Sequence, residues 1–266
     1  MCSNNDKAEY SRSGHINIIN SQNIQNFDKI RTKNDEEERN ESINENLIKL
    51  SSVLFPNIQQ GCKCRVLFPF CGNSADIMYV ANLGYEVVAV EHSSLAVTKF
   101  FKEENLLYFL KTSNRDKNFQ VYRSKDPQYD ITIYQGDFLK CGQKLFNKVD
   151  VVWDNGLWMN IKPKERFSYV KCIKDLVHKN TKYCLENVTY SKNGHINQPI
   201  SCQHNQLLMY FSNYFNVQRL YYYEDDLKRK IYGVDSFINT YYLLTLRTCL
   251  PKVNINLTTG RVVNEI

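Results

Sequence analysis

The sequence predicts an α/β fold, a doubly wound, seven-stranded, mostly parallel sheet with helices on both faces and one antiparallel edge strand. Three observations lead there. Residues 65–91 run strand, small-residue turn, helix, strand and acid, the layout of a nucleotide-binding βαβ unit. Residues 149–154 and 182–190 are further apolar runs of the kind buried on both faces of a parallel sheet. The chain then closes on two strands, 215–223 and 239–247, as an antiparallel pair. With 266 residues, 42% hydrophobic and 23% charged, it is long and apolar enough for one large core with extensions.

Residues 1–42 are polar, carry the acidic run Asp35-Glu-Glu-Glu-Arg39 and show no sustained period, so they read as a disordered extension. Ile43, Leu47, Leu50, Leu54 and Ile58 place a helix over 43–60 that Pro56 interrupts or ends. The first strand runs through Arg65-Val-Leu-Phe-Pro-Phe-Cys-Gly72. The helix after it puts Ala75, Met78 and Leu83 on one face and stops at Gly84. Tyr85-Glu-Val-Val-Ala-Val-Glu91 is the second strand. Ser93 or Ser94 caps a helix to about residue 105, with Leu95, Ala96 and Phe100 inward. Residues 106–117 read as irregular, and 118–123 with 130–135 as a hairpin extension or edge ribbon around Pro127.

The strand 149–154 ends in Asp154-Asn155-Gly156. Pro163 suits the first turn of a helix over 161–178, with Phe167, Val170, Ile173 and Val177 inward. Then come the strand 182–190, a polar loop over 191–199 and a short helix over 203–211. Between the closing strands lies the charged loop Asp225-Asp-Leu-Lys-Arg-Lys-Ile-Tyr-Gly233, and 249–266 form a tail. The folded domain is therefore 43–248.

The chemistry is concentrated at the first turn and at the end of the second strand. Gly72 and its small neighbours let main-chain N–H groups approach a ligand at a helix N-terminus. Glu91 follows about twenty residues later, where a carboxylate can take both hydroxyls of a ribose. A turn with one glycine lacks the close approach that a pyrophosphate needs, so a nucleoside without phosphate, S-adenosylmethionine being the common one, fits better than a dinucleotide. In the alternative, Glu91 is a solvated acid at a strand end. Asp137 and Phe138 follow another strand and suit an adenine, the carboxylate accepting from the amine and the ring stacking. In the alternative, Asp137 only caps a turn.

A net charge of +6 is compatible with anionic small molecules or weak RNA contact and does not establish a nucleic-acid binder. Nine scattered cysteines, with only Cys62 and Cys64 close together, argue against a zinc site. Their odd number and the lack of a signal peptide point to reduced thiols in the cytosol. No apolar run approaches the roughly 20 residues of a membrane span.

The order of elements resembles that of the class I methyltransferases. Arg65-Val-Leu-Phe-Pro-Phe-Cys-Gly72, Leu83-Gly-Tyr-Glu-Val-Val-Ala-Val-Glu91, Ile133-Tyr-Gln-Gly-Asp-Phe138, Val151-Val-Trp-Asp154 and Gln198-Pro-Ile-Ser201 closely resemble the thiopurine S-methyltransferase family. That family has proline and cysteine in its first turn, and the match covers about residues 64–247. The resemblance implies methyl transfer from S-adenosylmethionine to the sulfur of a small molecule by a monomer. It places the cofactor on Phe70, Cys71, Gly72, Glu91, Asp137, Phe138 and Asn155, and the acceptor near Lys228 and Arg229. Two departures stand out. Asn155 replaces the family's usual Arg, and no tryptophan precedes Trp153, so the family's tryptophan-bearing lid is absent, replaced or diverged.

Direct attack of a thiolate on a sulfonium methyl needs no enzyme nucleophile, so Cys71 reads as a small apolar turn residue. Two other function classes stay open, a methyltransferase for RNA or another macromolecule and a non-catalytic cofactor-binding protein. Asp154-Asn-Gly-Leu157 lacks the Pro-Pro-aromatic sequence usual for amino-group methylation of nucleic acid.

Overall fold

The protein is described by a computed structural model that covers residues 42–56, 63–142, 144–191, 199–247, 254–255 and 262–263. The expected extension over 1–42 falls outside the described residues except for residue 42, as do most of the 191–199 loop and most of the tail.

Helix α1 (Glu45–Leu54) precedes β1 (Arg65–Phe68), α2 (Asp76–Asn82), β2 (Glu86–Glu91) and α3 (Ser94–Glu103). A hairpin of β3 (Tyr108–Thr112) and β4 (Gln120–Ser124) leads into β5 (Ile131–Gln135), then β6 (Val149–Asp154) and the short α4 (Leu157–Asn160). Helix α5 (Arg166–Leu176), β7 (Val177–Tyr190), α6 (His204–Phe211), β8 (Phe215–Glu224), α7 (Asp226–Tyr232) and β9 (Phe237–Leu246) complete the domain. Asn254–Ile255 and Val262–Val263 form a separate antiparallel pair.

Among the described residues the main sheet has nine strands in the order β3-β4-β5-β2-β1-β6-β7-β9-β8. From β5 to β7 neighbouring strands are parallel, and β9 runs antiparallel to both β7 and β8. The doubly wound class is as expected, with two differences. The β3–β4 hairpin adds two strands, one of them within the stretch read as irregular. The reversed strand at the far end is inserted between β7 and β8, so it is not the edge. The chain reaches that slot by crossing from β7 to the outer β8 before turning back through α7.

One core lies under α1, α2 and α3 and includes Leu47, Leu54, Ile77, Val80, Val97, Phe100 and Trp153. The other lies under α4, α5 and α6 and includes Leu67, Val152, Trp158, Tyr169, Ile173, Leu207 and Phe211. Helix register departs from expectation in three places. In α2 the buried positions are Ile77, Val80 and Ala81, and Leu83 is exposed, because the helix starts at Asp76. In α3 Leu95 is exposed, and Val97 and Phe101 join Phe100 inside. The helix expected over 161–178 is shorter. Phe167 is exposed on it, and Val177 already belongs to β7. The expected charged loop at 225–233 is α7, capped by the Asp225 carboxylate at one end and by left-handed Gly233 (φ 63°) at the other.

Candidate active site at the carboxyl ends of the parallel strands

The turn after β1 and the end of β2 are built together. Gly72 has φ 54°, a left-handed conformation in which a Cβ is strained. Its N–H donates to Glu91 Oε2 at 2.8 Å, and the Ser93 N–H donates to Oε1 at 2.8 Å. Both carboxylate oxygens are thus held by main-chain donors, and Glu91 is buried. Cys71 is buried in the same turn, with its Sγ 3.5 Å from the Gly72 carbonyl, and Phe70 is half-buried beside it. His92 was missed by sequence reasoning. Its carbonyl accepts from Gln135 Nε2 at 2.8 Å, tying β2 to β5, and its buried Nδ1 has no hydrogen-bond partner among the described residues.

Beyond β5, Asp137 caps a turn of 3₁₀ helix, its Oδ1 accepting from the Leu139 N–H at 3.0 Å. Its carboxylate remains partly exposed at this end of the sheet, 3.9 Å from Lys140 Nζ. The Phe138 ring points into the core, 5.7 Å from the Tyr169 ring. The Phe138 ring is thus taken up by the core, and Asp137 is the more exposed member of the pair.

At the end of β6 the two neighbours Asp154 and Asn155 part company. Asp154 Oδ1 accepts from the Leu157 and Trp158 N–H groups at 3.1 and 3.3 Å, at the start of α4. Its Oδ2 accepts from the hydroxyls of Tyr169 and, at 3.0 Å, Tyr183. Burial pushes its pKa up to about 6 against these hydrogen bonds. The folded state therefore holds a proton that the unfolded chain has lost, so stability falls as pH rises from about 4 to 6, by about 3 kcal/mol in all. Asp154→Asn keeps an acceptor for α4 and removes the titration. Urea unfolding from pH 4 to 7 should show a shallower fall in the variant than in the wild type, the raised carboxyls of Asp76 and Glu186 keeping part of it. Asn155, on the other side of the chain, is half-buried and free of that network.

The first helix is anchored to the same end. Asp76, at the head of α2, accepts from the Asn44 N–H at 2.8 Å and from Trp153 Nε1 at 3.1 Å. Trp153 stacks on Tyr241 (6.0 Å, 13°) and Tyr241 on Tyr221 (5.2 Å, 12°). Asn46 receives the Tyr221 hydroxyl and donates to the Tyr241 hydroxyl at 3.0 Å. The start of α1 is thereby fixed next to the first turn and the ends of β6 and β7. The expected acceptor residues separate. Lys228 Nζ lies 3.5 Å from Asp225 Oδ2 and 5.7 Å from the centre of the Phe237 ring, facing the sheet. Arg229 pairs with Asp226 along α7 at 2.9 Å.

Comparisons with known proteins identify the family and the fold. The family model of thiopurine S-methyltransferase matches residues 37–247. The chain belongs to the thiopurine S-methyltransferase family. It is similar to the thiopurine S-methyltransferase of Psychrobacter cryohalolentis, 28% identical over 166 residues, 62% of this chain and 75% of that protein. It is likewise similar to that of Rattus norvegicus, 29% identical over 182 residues, 68% and 75% of the two chains. In fold it is similar to the Burkholderia thailandensis 1,6-didemethyltoxoflavin-N1-methyltransferase, with a TM-score of 0.51, 13% identity, and 90% of this chain and 93% of that one covered.

As a member of the family the protein is an S-adenosylmethionine-dependent methyltransferase. In this methyltransferase the Asp154 carboxylate is occupied with α4 and two tyrosines, and Asn155 lies outside that network. Tyr169 and Tyr183 were not legible as its partners, because they lie 15 and 29 residues away along the chain. Arg166 was also missed. It is buried with no carboxylate in contact among the described residues, stacked 4.5 Å over Trp158, and donates to the carbonyls of Ile161 and Ile200. It thus fixes the segments after β6 and β7 relative to each other.

Proposed function

We propose that the protein transfers the methyl group of S-adenosylmethionine to the sulfur of a small-molecule thiol. The observation that carries this is the Glu91 carboxylate, held at 2.8 Å by the Gly72 turn, in a chain of the thiopurine S-methyltransferase family. The residues at these strand ends fit the cofactor. Glu91 is a rigid, buried acceptor for the ribose hydroxyls. Gly72, with Phe70 and Cys71, brings main chain close to the cofactor's amino-acid portion. Asp137 and the main chain at Phe138 face the adenine amine, and His92, whose buried Nδ1 has no hydrogen-bond partner among the described residues, directly follows the ribose acid in the chain. Asn155 stands at the methyl end, where it contributes hydrogen bonds without charge.

When bound, the cofactor supplies an electrophilic methyl that a thiolate attacks in line. The protein's part is to place the sulfur on that line and keep water away from it. Thiols ionise near pH 8.5, so a strong enzyme base is unnecessary. Cys71 is enclosed in its turn and takes no covalent part. Lys228 faces the acceptor, and Arg229 stays paired with Asp226. The test is to follow a labelled methyl from the cofactor into a panel of small thiols. Label recovered in the thiol fraction supports the reading. Label that stays in the cofactor for every thiol, although the cofactor binds, overturns it.

A further inference from the structure

Past the carboxyl end of the sheet, β7, β8, β9 and α7 bring together Glu186, Tyr223, Tyr241, Asp225, Lys228 and Asn239. Asp154 at the end of β6 is level with Leu185, so Glu186 stands one residue beyond it, on the face that carries Trp153 and Tyr241. Glu186 is 4% exposed and hydrogen-bonds the Tyr241 hydroxyl, and Tyr241 stacks on Trp153, the residue before Asp154. The cluster is therefore a direct continuation of the strand end that carries Asn155.

Two features point to a ligand. First, Asn239 is fully buried. Its Nδ2 donates to Asp225 Oδ2 at 3.2 Å, while its Oδ1 has no hydrogen-bond partner among the described residues. Buried amide oxygens are rarely left without a donor. Second, the charge runs against an anion. Lys228 is shared between Asp225, at 3.5 Å, and Glu186, whose carboxyl is pushed up by burial and drawn back by Lys228. Two carboxyl groups thus face one ammonium, Arg229 is engaged with Asp226, and Asn155 adds no charge. The cluster offers acceptors to a donor and no net positive charge to an anion.

We propose that this cluster is the selecting part of the acceptor site, and that it selects small thiols carrying an ammonium or another N–H donor over thiols carrying a carboxylate. Asn239 Oδ1 and Glu186 take the donor, and Lys228 balances Asp225. The inference rests on the thiol-methylation reading and adds the class of thiol to it.

The experiment uses the full chain at pH 7 and a matched pair of acceptors, 4-(aminomethyl)benzenethiol and 4-mercaptobenzoate. It measures kcat/KM with labelled cofactor for the wild type, Glu186→Gln and Asn239→Leu. In parallel, calorimetry on the S-adenosylhomocysteine complex measures the binding of benzylamine and benzoate, which carry no sulfur. The wild type should favour the amine of each pair by about tenfold or more, the range of a charge-assisted hydrogen bond. Glu186→Gln should remove most of that preference while the thermal midpoint and cofactor affinity hold. Where Asn239→Leu does not fold, Glu186→Gln carries the test. Methylation of both thiols with equal or inverted preference overturns the inference and leaves thiol methylation standing. A full preference in Glu186→Gln likewise overturns it. If neither thiol is methylated but benzylamine still binds over benzoate, thiol methylation fails and the amine-selecting cluster stands.

Discussion

In the Glu91→Ala variant the dissociation constant for S-adenosylmethionine should rise by roughly two to four orders of magnitude. Two hydrogen bonds from ribose hydroxyls to a carboxylate are worth about 1.5–3 kcal/mol each, which sums to that range. Part of the loss comes through the protein. Glu91 Oε2 holds the Gly72 N–H and Oε1 holds the Ser93 N–H, so alanine also releases the turn. Glu91→Gln separates the two contributions. The amide keeps one main-chain acceptor and the shape of the site but loses the charge, so its affinity should fall between wild type and alanine. Calorimetry with the cofactor checks this, with circular dichroism to show that the sheet persists. An unchanged dissociation constant in Glu91→Ala would remove Glu91 from the site.

The Trp158→Ala variant should lose about 3–5 kcal/mol of stability, the range for truncating a fully buried large aromatic. Trp158 is 0% exposed and meets the rings of Phe211 at 5.0 Å, Tyr210 at 5.7 Å and Tyr169 at 5.8 Å. It also supports the Arg166 guanidinium at 4.5 Å and donates from Nε1 to Asn187 Oδ1 at 2.9 Å. Alanine leaves a cavity, strips a buried arginine of its aromatic platform and leaves an amide oxygen without its donor. Urea unfolding should show an earlier midpoint with an unchanged slope. Because Trp158 lies on the face of the sheet away from α1 and α2, cofactor affinity in native buffer should change far less than stability. A cost below about 1 kcal/mol would contradict this account of the core.

The first βα unit was legible because local pattern and tertiary role coincide there. Val66 to Phe68 and Val87 to Val90 are apolar and buried on both faces of the sheet, and Gly72 and Glu91 stand at the turn and strand end that topology requires. The hairpin was harder. Phe109, Leu110, Lys111 and Thr112 are all exposed on an edge strand, so β3 carries no burial alternation to betray it. The slot of β9 between β7 and β8 is likewise a long-range choice that no local period encodes. At the site, the run Asp154-Asn155-Gly156 marks a strand end but does not say which way Asp154 turns. Only the arrival of Tyr169 and Tyr183 shows that it is turned away. Glu186 and Asn239 were passed over because each sits inside an otherwise apolar strand. Their meeting with Asp225 and Lys228 depends on the pairing of three strands.

The proposed acceptor atom is sulfur. Its most direct measurement is to incubate the protein with S-adenosylmethionine labelled with ¹³C in the methyl group and a small aromatic thiol that also carries an amine. The methyl carbon of the product is then located by NMR. A carbon shift characteristic of a methyl thioether, formed in step with S-adenosylhomocysteine, is the predicted result. A methyl on the amine nitrogen, or none on the thiol while the cofactor binds normally, would contradict it.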